Sequence, residues 1–376
     1  MDPLSGEYPL THLERVVFGA GSVVHLGDEV ERLGASRAVV VTGRTLGASP
    51  LLARVTGALG GRCVHVFTGT RQHVPTAAVA GLADALEAYR ADCVVSFGGG
   101  SPIDAAKAAV HLRLGGSGSQ AGGGLPHVAV PTTLSAGEFT AVAGITDEGT
   151  RVKHAIVDPR LAPRVVVLDP ALSVATPPWL WAASGMRALD HAVETLYADH
   201  RHPMSEAQAA HALAALVTHL APSLDAASLT DRLHCQTAAW MSVRGLAYAG
   251  LGLSHALGHQ IGPRWNVAHG VTSCIILSHA MRAVAGRVPD RFPSIATALG
   301  VAFDTRDPAP GARACADAVA AFVSRLGLPA RLRDVGVPRE ELGDVAAVVH
   351  EVMTHHPRAG LELSLDEVAA VLVAAY

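Results

Sequence analysis

The first half of the chain alternates short valine-rich runs with segments of helical periodicity. The runs are too short for helices and predict buried strands at residues 37–42, 63–67, 93–97, 127–130 and 164–169. The intervening segments place apolar residues at helical spacing and predict helices at 51–55, 76–89 and 102–112. Strands that read as continuous apolar runs and alternate with helices are typical of α/β folds, so we predict a doubly wound parallel sheet.

The pattern changes after Pro177 and Pro178, where long alanine- and leucine-rich helical stretches replace the valine runs. A chain of 376 residues is too long for one comfortable core. We therefore predict an α/β domain at residues 1–170 and an all-helical domain at residues 171–376. The segment 115–124 is too glycine-rich for a regular element and is predicted to be a flexible loop.

Composition narrows the class of protein. Hydrophobic residues make up 49% of the chain and charged residues 16%, so large cores can be buried. A net charge of -4 gives no reason to expect nucleic acid or an anionic membrane as a partner. The five cysteines show no CxxC spacing, and neither a signal peptide nor an apolar run of roughly 20 residues is evident. These features favour a soluble, cytoplasmic protein that acts on a small molecule.

A glycine-rich turn lies where the third predicted strand gives way to a helix, in Ser96-Phe-Gly-Gly-Gly-Ser-Pro-Ile-Asp-Ala-Ala-Lys. Consecutive glycines let the backbone approach a pyrophosphate, and the free amides of a helix N-terminus attract its charge. Pro102 suits a first helical turn because its missing N–H would be unpaired there anyway. The spacing is not the GxGxxG of the usual dinucleotide fold, and a tight turn without ligand is the alternative. We predict a phosphate site at Gly98, Gly99, Gly100 and Ser101.

Two further features lie beside this turn. Asp104 and Lys107 are three residues apart on the predicted helix, and this spacing alone indicates no more than an exposed pair. The segment Pro131-Thr-Thr-Leu-Ser follows the next predicted strand, and ligands of doubly wound sheets collect at the carboxyl ends of strands. Thr132 and Thr133 are therefore predicted to face the same crevice and to bind phosphate or ribose. An ordinary Ser/Thr turn is the alternative.

Three histidines fall close together in the second half, in Ser254-His-Ala-Leu-Gly-His-Gln-Ile-Gly and Asn266-Val-Ala-His-Gly. His255 and His259 are four residues apart and share a helix face, and His269 can fold back to meet them. Neutral imidazoles at this spacing are a common arrangement for a divalent metal. Because the chain has 20 histidines, a coincidental pair is the alternative.

An earlier helical segment places Arg187 and His191 four residues apart on one face, with Asp190 about 100° round from His191. A guanidinium close to a divalent cation is unfavourable, by roughly several kcal/mol in a partly dry pocket. Arg187 instead suits a substrate carboxylate, which it can bind through two parallel hydrogen bonds. The alternative is an internal salt bridge from Arg187 to Asp190 or Glu194.

Taken in order, these motifs resemble the iron-containing alcohol dehydrogenase family, and more closely its maleylacetate reductase branch. The resemblance runs nearly end to end, through Arg15-Val-Val-Phe-Gly-Ala-Gly-Ser-Val, Gly98-Gly-Gly-Ser-Pro-Ile-Asp-Ala-Ala-Lys, Val130-Pro-Thr-Thr, Ser184-Gly-Met-Arg-Ala-Leu-Asp-His-Ala-Val-Glu and the histidine block. It implies an N-terminal dinucleotide-binding domain, a C-terminal helical domain, an active site in the cleft between them, and a homodimer.

The resemblance also bears on metal binding. In metal-dependent members an aspartate at the position of Arg187, with the residues matching His191, His255 and His269, holds the metal. The reductase branch lacks that aspartate, carries a small polar residue there and works without metal. This chain departs from both groups, and we expect no metal; a bound metal would have His191, His255 and His269 as its ligands.

The resemblance implies NADH or NADPH as cofactor. Family members strict for NAD carry an acidic residue at the end of the first valine run, where it repels a 2′-phosphate. Gly43 removes that repulsion and Arg44 can bind the phosphate, so NADPH is compatible with the sequence. Lys153 matches a family lysine near the cofactor ribose, and Asp104 is included among the predicted cofactor contacts.

We interpret the chain as an NAD(P)H-dependent reductase of a carbonyl, or of a double bond conjugated to one, in a small acid. Arg187 would anchor the substrate carboxylate. His255 and His191 would polarise the carbonyl oxygen, His259 would relay the proton, and His269 would complete the set.

Three alternatives stay open. The first is a metal-dependent alcohol dehydrogenase in which Asp190 or a water replaces the missing ligand. The second is a non-redox lyase or isomerase on the same scaffold. The third is a catalytically silent partner subunit, against which the intact glycine turn argues.

Overall fold

The computed structural model describes residues 10–115, 124–149, 153–250, 252–355 and 362–376. Most of the glycine-rich segment predicted as a loop lies outside these residues. Contacts within the chain define two compact units, Leu10–Thr176 and Pro177–Tyr376, and the division falls at the change of hydrophobic pattern.

The first unit is an α/β domain. Its strands are β1 (Arg15–Phe18), β2 (Ala38–Gly43), β3 (Cys63–Thr70), β4 (Cys93–Gly98), β5 (His127–Pro131), β6 (Val142–Thr146), β7 (Lys153–Val157) and β8 (Val165–Leu168). Its helices are α1 (Leu26–Arg32), α2 (Arg44–Gly47), α3 (Pro50–Leu59), α4 (Thr76–Ala88) and α5 (Gly100–Arg113). Each valine-rich run that the sequence singled out forms a strand here.

Six of the strands form one parallel sheet in the order β1-β8-β5-β4-β2-β3. The chain passes from β2 to β3 on one side and then returns to place β4 on the other side of β2. This reversal makes the β2/β4 pair the topological switch point, where doubly wound sheets bind their ligands at the carboxyl ends of the strands. The predicted fold class is confirmed.

Both faces of this sheet are buried, which explains why its strands read as unbroken apolar runs. Val40 and Val95 pack into one core together with helices α1 and α3. Val39 and Val94 point to the opposite face and pack into a second core with α4 and α5. Alternate residues of one strand therefore belong to different cores, as a parallel sheet covered on both sides requires.

The sequence pattern did not predict a separate antiparallel pair, β6 and β7, in which Val142 pairs with Val157 and Thr146 with Lys153. Val142 and Val157 are exposed, and Gly144 interrupts the first strand. Such a hairpin has no continuous apolar run, because only part of its surface is buried against α5.

The second unit contains only helices among its described regular elements, as predicted, apart from short 3₁₀ turns. They are α6 (Pro178–Tyr197), α7 (Pro203–His219), α8 (Leu229–Ala249), α9 (Leu253–Arg264), α10 (His269–Ala285), α11 (Pro293–Leu299), α12 (Pro308–Arg325), α13 (Leu342–His355) and α14 (Leu365–Ala374). In the described part of the chain, no helix combines the length and apolar character needed to cross a bilayer.

Candidate functional site

Helix α6 is the central element of the helical unit. It begins at Pro178, where a proline is tolerated because the first helical amides have no partner within the helix. Every residue from Trp181 to Tyr197 is buried, as expected of a helix that neighbouring helices surround. Its buried charged side chains and its histidine recur at spacings of three and four residues and so lie along one stripe; they are Arg187, Asp190, His191 and Glu194.

Helices α9 and α10 bring the histidines to this stripe. His255 and His259 lie one turn apart on α9, and His269 is the first residue of α10. The His191 and His255 rings are stacked with centroids 4.8 Å apart, and those of His259 and His269 are 5.2 Å apart. The structure therefore brings together all four predicted site histidines.

Two glycines permit this close packing. A Cβ atom at Gly270, in the first turn of α10, would overlap the backbone of Ala183 on α6. A Cβ atom at Gly252, just before α9, would overlap the carboxylate of Glu194. The three helices can therefore meet at backbone contact distance, which holds their side chains in one cluster.

Glu194 orients His255. Its carboxylate accepts hydrogen bonds from the backbone amides of Gly252 (2.9 Å) and Ser254 (2.7 Å), which are free because they begin a helix. It also lies 2.6 Å from Nδ1 of His255. Since an ionised carboxylate can only accept, Nδ1 carries the proton that is shared with Glu194.

Asp190 is held by two hydroxyl groups. The Ser254 and Ser273 hydroxyls donate to its Oδ2 atom at 2.8 Å and 2.6 Å. Its Oδ1 atom lies 3.5 Å from Nδ1 of His255. The sequence analysis weighed Asp190 or Glu194 as a salt-bridge partner of Arg187, and Asp190 also as a substitute metal ligand. It missed the contacts of both carboxylates with His255. The sequence does contain one indication that these carboxylates belong to the site. Their spacing from Arg187 places all three side chains on one helix face.

Arg187 is only 7% exposed and is loosely paired. Its Nη1 donates to the Ser273 hydroxyl at 3.2 Å, and its Nη2 lies 3.4 Å from Nε2 of His259. The nearest approach to Asp190 is 3.8 Å, too long for a hydrogen bond. The salt bridge weighed from the sequence is thus present only as this long contact, and none to Glu194 occurs among the described residues.

The two stacked imidazoles are shifted in opposite directions. Burial lowers the pKa of His191 well below its ordinary value, and the charges of His255 and Arg187 act the same way. For His255, burial and Arg187 also lower the pKa, but Asp190 and Glu194 outweigh them and leave it raised. Nδ1 of His191 and Nε2 of His255 are buried without a hydrogen-bond partner among the described residues. Both nitrogens are therefore open to a ligand.

Three side chains of this cluster offer donor atoms to a metal ion. Asp190, Glu194 and His255 each offer a ligand atom, and these atoms lie within 4.8 Å of one another. Both oxygens of Glu194 and Oδ2 of Asp190 already accept from backbone amides or serine hydroxyls, whereas Oδ1 of Asp190 is buried without a hydrogen-bond partner among the described residues. The guanidinium of Arg187 adds a positive charge 3.8 Å from Asp190. This fixed positive charge opposes the binding of a divalent cation at the group.

The predicted cofactor residues of the α/β unit also lie together. Gly98 adopts φ 143°, a conformation that favours glycine, and its carbonyl accepts from the Thr132 amide at 2.9 Å. A Cβ atom at Gly99 would lie 3.0 Å from the Thr133 side chain. The glycine turn, Gly98 to Ser101, and the threonine loop are therefore neighbours at the carboxyl ends of β4 and β5. Gly43 ends the adjacent strand β2 and thus lies at the switch point.

The interpretation of Asp104 and Lys107 as an exposed pair is wrong. Lys107 has no exposed surface, and its ammonium donates to oxygens of the segment that leads into β6 and of β6 itself. Asp104 accepts a hydrogen bond from the Gly144 amide of the same strand at 3.2 Å. The predicted cofactor contact of Asp104 stays a prediction, as does that of Lys153, whose backbone lies in β7.

The chain is similar to known proteins over nearly its whole length. The model of iron-containing alcohol dehydrogenases matches residues 14–170, and that of the C-terminal domain of the Fe-containing alcohol dehydrogenase family matches residues 181–376. A maleylacetate reductase from Burkholderia cepacia is 34% identical over 367 residues, covering 97% of this chain and 96% of that protein. A lactaldehyde reductase from Escherichia coli K12 is 31% identical over 373 residues, covering 94% and 96%.

A solved structure is equally similar. A putative alcohol dehydrogenase from Ralstonia eutropha JMP134 superposes with a TM-score of 0.85 at 34% identity, covering 99% of this chain and 98% of that one. The chain therefore belongs to the iron-containing alcohol dehydrogenase family and is an oxidoreductase. Within the family it is a divergent member of the maleylacetate reductase branch, as the sequence motifs predicted.

Proposed function

We propose that this enzyme uses NADH or NADPH to reduce a carbonyl group, or a double bond conjugated to one, in a small carboxylate, and that it does so without a bound metal. Similarity to the maleylacetate reductases supports the reductase activity. The observation that carries the finer proposal is the buried and loosely paired guanidinium of Arg187.

A buried guanidinium normally pairs with a carboxylate through two parallel hydrogen bonds. Arg187 has a hydroxyl and an imidazole as its near partners and a carboxylate only at 3.8 Å. This leaves hydrogen-bonding capacity for a ligand in a site where a charge is costly to leave uncompensated. A substrate carboxylate supplies both the charge and the planar geometry that the guanidinium prefers.

The histidines serve the reacting end of the substrate. Hydride passes from the reduced nicotinamide to the electron-poor carbon of the substrate, and negative charge develops on the carbonyl oxygen. His255 and His191 each have a buried nitrogen without a hydrogen-bond partner in the described part of the chain, and these nitrogens stabilise that oxygen. His259, beside Arg187 and His269, relays the proton that completes the reduction.

The cofactor is bound by the α/β unit. Its pyrophosphate lies against the amides at the start of α5, and neighbouring hydroxyls and side chains complete the contacts. The proposed cofactor residues are Gly43, Gly98, Gly99, Gly100, Ser101, Asp104, Thr132, Thr133 and Lys153. Support comes from the position of the glycine turn at the switch point of the sheet.

Two measurements test this proposal. Nicotinamide fluorescence titrations with NADH and NADPH identify the cofactor, and its oxidation is then followed with a panel of oxo acids and their methyl esters. We expect turnover of the acids, with the esters at least about 100-fold poorer in kcat/KM because they lose the charge-assisted pair with Arg187. Equal turnover of acids and esters contradicts carboxylate anchoring.

Metal analysis of enzyme purified without chelators tests the remaining part. We expect substoichiometric iron and zinc and full activity after dialysis against a chelator. Stoichiometric metal that is lost together with activity would favour the metal-dependent alcohol dehydrogenase instead. In that case the Asp190, Glu194 and His255 group is the first place to look for the ligands.

A further inference from the structure

Lys107 is an unusual residue for this chain. The sequence contains 29 lysines and arginines, of which only Lys107 and Lys153 are lysines. Arginine is thus the ordinary cation of this protein, and yet a lysine with no exposed surface lies inside the α/β unit. None of the roles proposed above uses it. Its identity indicates a need for a compact ammonium group, which a planar guanidinium does not replace.

The ammonium uses all three of its donors. It donates to the Gly137 carbonyl at 2.6 Å, to the Thr140 hydroxyl at 3.1 Å and to the Val142 carbonyl at 2.9 Å. Gly137 lies in a short 3₁₀ turn, and Val142 is the first residue of β6. Lys107 therefore joins helix α5 to two successive pieces of the segment that follows the threonine loop.

Strand β6 is fixed at two further points. Asp104, one turn before Lys107, accepts from the Gly144 amide at 3.2 Å. At the far end of the strand, the Thr146 amide donates to the Val74 carbonyl at 2.9 Å and the Thr146 hydroxyl to the His73 carbonyl at 2.7 Å. Helix α5 thus supplies two adjacent contacts, and the one from Lys107 also reaches the 3₁₀ turn.

The segment held in this way carries proposed cofactor contacts at both ends. It starts at Thr132 and Thr133, next to the glycine turn, and leads into β6, whose partner strand begins at Lys153. We propose that Lys107 is a positioning residue for cofactor binding, which fixes the threonine loop and the β6–β7 hairpin against the helix that follows the glycine turn. This inference rests on the proposed use of a nicotinamide cofactor by this unit.

The charge on Lys107 is held at an energetic cost, which favours a functional reason for it. Burial lowers the pKa of Lys107 to about 8, although Asp104 and Glu138 act against this shift. Burial also raises the pKa of Glu138 to about 7 and lowers that of His127, on the adjacent strand β5, to about 3. Apolar residues of similar volume often replace buried charges without loss of stability, so stability alone does not explain this lysine.

The test compares Lys107→Met, which removes the ammonium, with Leu82→Ala as a control. Leu82 is buried in the same core as α5, but its apolar side chain makes no hydrogen bond to the fixed segment. Its truncation should therefore lower stability without removing those contacts. We expect Lys107→Met to raise the Kd for the preferred cofactor about tenfold or more, with kcat at saturating cofactor changed about twofold or less. Leu82→Ala should lower Tm and leave Kd unchanged.

The pH profile gives a readout that a purely structural role does not. In the wild type the Kd for cofactor should rise as pH passes about 8. In Lys107→Arg, whose guanidinium stays charged but does not fit the three oxygens, Kd should be raised at every pH and should not change across this range. If Lys107→Met does not fold, Thr140→Val removes one acceptor and should raise Kd about two- to fourfold. An unchanged Kd in Lys107→Met or, if that variant does not fold, in Thr140→Val overturns the inference. So do identical pH profiles of Kd in the wild type and Lys107→Arg. Failure of the wild type to bind NADH or NADPH overturns the proposed function itself.

Discussion

Lys107 and Arg187 are buried cations in different compact units, and their surroundings differ. Lys107 is surrounded by three oxygens of its own domain at 2.6–3.1 Å. Arg187 contacts one hydroxyl and one imidazole at 3.2 and 3.4 Å, and its nearest carboxylate lies 3.8 Å away. A cation whose donors are all hydrogen-bonded within the protein connects parts of the fold. A cation with unused donors can bind a ligand.

This difference separates positioning from binding on physical grounds. Both side chains carry a charge that is costly to bury, so each needs compensation. For Lys107 the backbone and a hydroxyl supply it at all times. For Arg187 the compensation is incomplete until a carboxylate enters, which makes the free energy of that pairing available for substrate binding.

The largest effect is expected from Arg187→Met, which removes the guanidinium but keeps an unbranched side chain. We expect kcat/KM for oxo acids to fall about 100- to 1000-fold, because a charge-assisted bidentate pair is lost. The methyl esters of the same acids should change about threefold or less. Steady-state kinetics on both series measures this. An equal loss for acids and esters would mean that Arg187 supports the fold of the site and does not bind the carboxylate.

The second prediction concerns the stability cost of Lys107. Its pKa is about 8 in the folded protein against 10.5 for an ordinary lysine, so the folded chain binds fewer protons than the unfolded chain between these values. The free energy of unfolding therefore rises with pH across this window, by at most about 3 kcal/mol. Denaturant unfolding of the wild type and of Lys107→Met isolates the contribution of this residue when both are measured from about pH 7, one unit below the folded pKa, up to the ordinary value of 10.5.

The small number of lysines makes a direct control possible. In protein labelled with ¹³C-lysine, only the resonances of Lys107 and Lys153 are present. Lys107→Arg assigns them, and the resonance that it removes should titrate near pH 8. A resonance of Lys107 that titrates at the ordinary value would mean that the ammonium is not desolvated, and the contrast with Arg187 would lose its basis.

The sequence predicted the fold well where one physical signal dominated. The valine-rich runs were decisive because a strand buried on both faces must be largely apolar, as β2, β4 and β5 are. Their buried polar exceptions include Ser96 and His127, which hydrogen-bond to each other at 2.7 Å. The β6–β7 hairpin was missed because its burial is partial and depends on α5. Lys107 was wrongly interpreted as exposed because a spacing of three residues indicates a shared helix face but not whether another element buries that face.

In the site, the sequence predicted the contacts within one helix but not those between helices. The spacing of His255 and His259, and that of Arg187 and His191, predicts neighbours within one helix, and the structure shows these pairs on one face each. Spacing does not reveal partners on other helices, so the contact of Glu194 with His255 was not predicted. The bond of Ser273 to Arg187 was missed because the hydroxyl lies 86 residues away in sequence.

Glu194→Gln tests whether Glu194 orients His255. Glu194 lies at the opposite end of the stripe from Arg187. The amide can accept only through one atom, so the variant loses either the contacts of Oε2 with Gly252 and His255 or those of Oε1 with Ser254 and Tyr197. We expect kcat to fall about 10- to 30-fold, with KM for the oxo acid changed about threefold or less. The opposite pattern, a raised KM with unchanged kcat, would place Glu194 in substrate binding and blur its distinction from Arg187.

The smallest effect is expected from Ser273→Ala. The Ser273 hydroxyl accepts from Arg187 at 3.2 Å and donates to Asp190 at 2.6 Å, so it is the only hydroxyl in the described structure that joins the cation to its distant carboxylate. Without it the guanidinium is less well oriented, while its charge stays. KM for oxo acids should rise about three- to fivefold with kcat nearly unchanged, equivalent to one neutral hydrogen bond.

Ser254→Ala is the matched control, because its hydroxyl binds the same Asp190 oxygen at 2.8 Å without contacting Arg187 among the described residues. If Ser254→Ala raises KM as much as Ser273→Ala does, the effect comes from Asp190 and not from the orientation of Arg187. If only Ser273→Ala does so, the guanidinium depends on a single weak contact for its orientation. That result would sharpen the contrast with Lys107, whose three contacts leave it no freedom to turn toward a ligand.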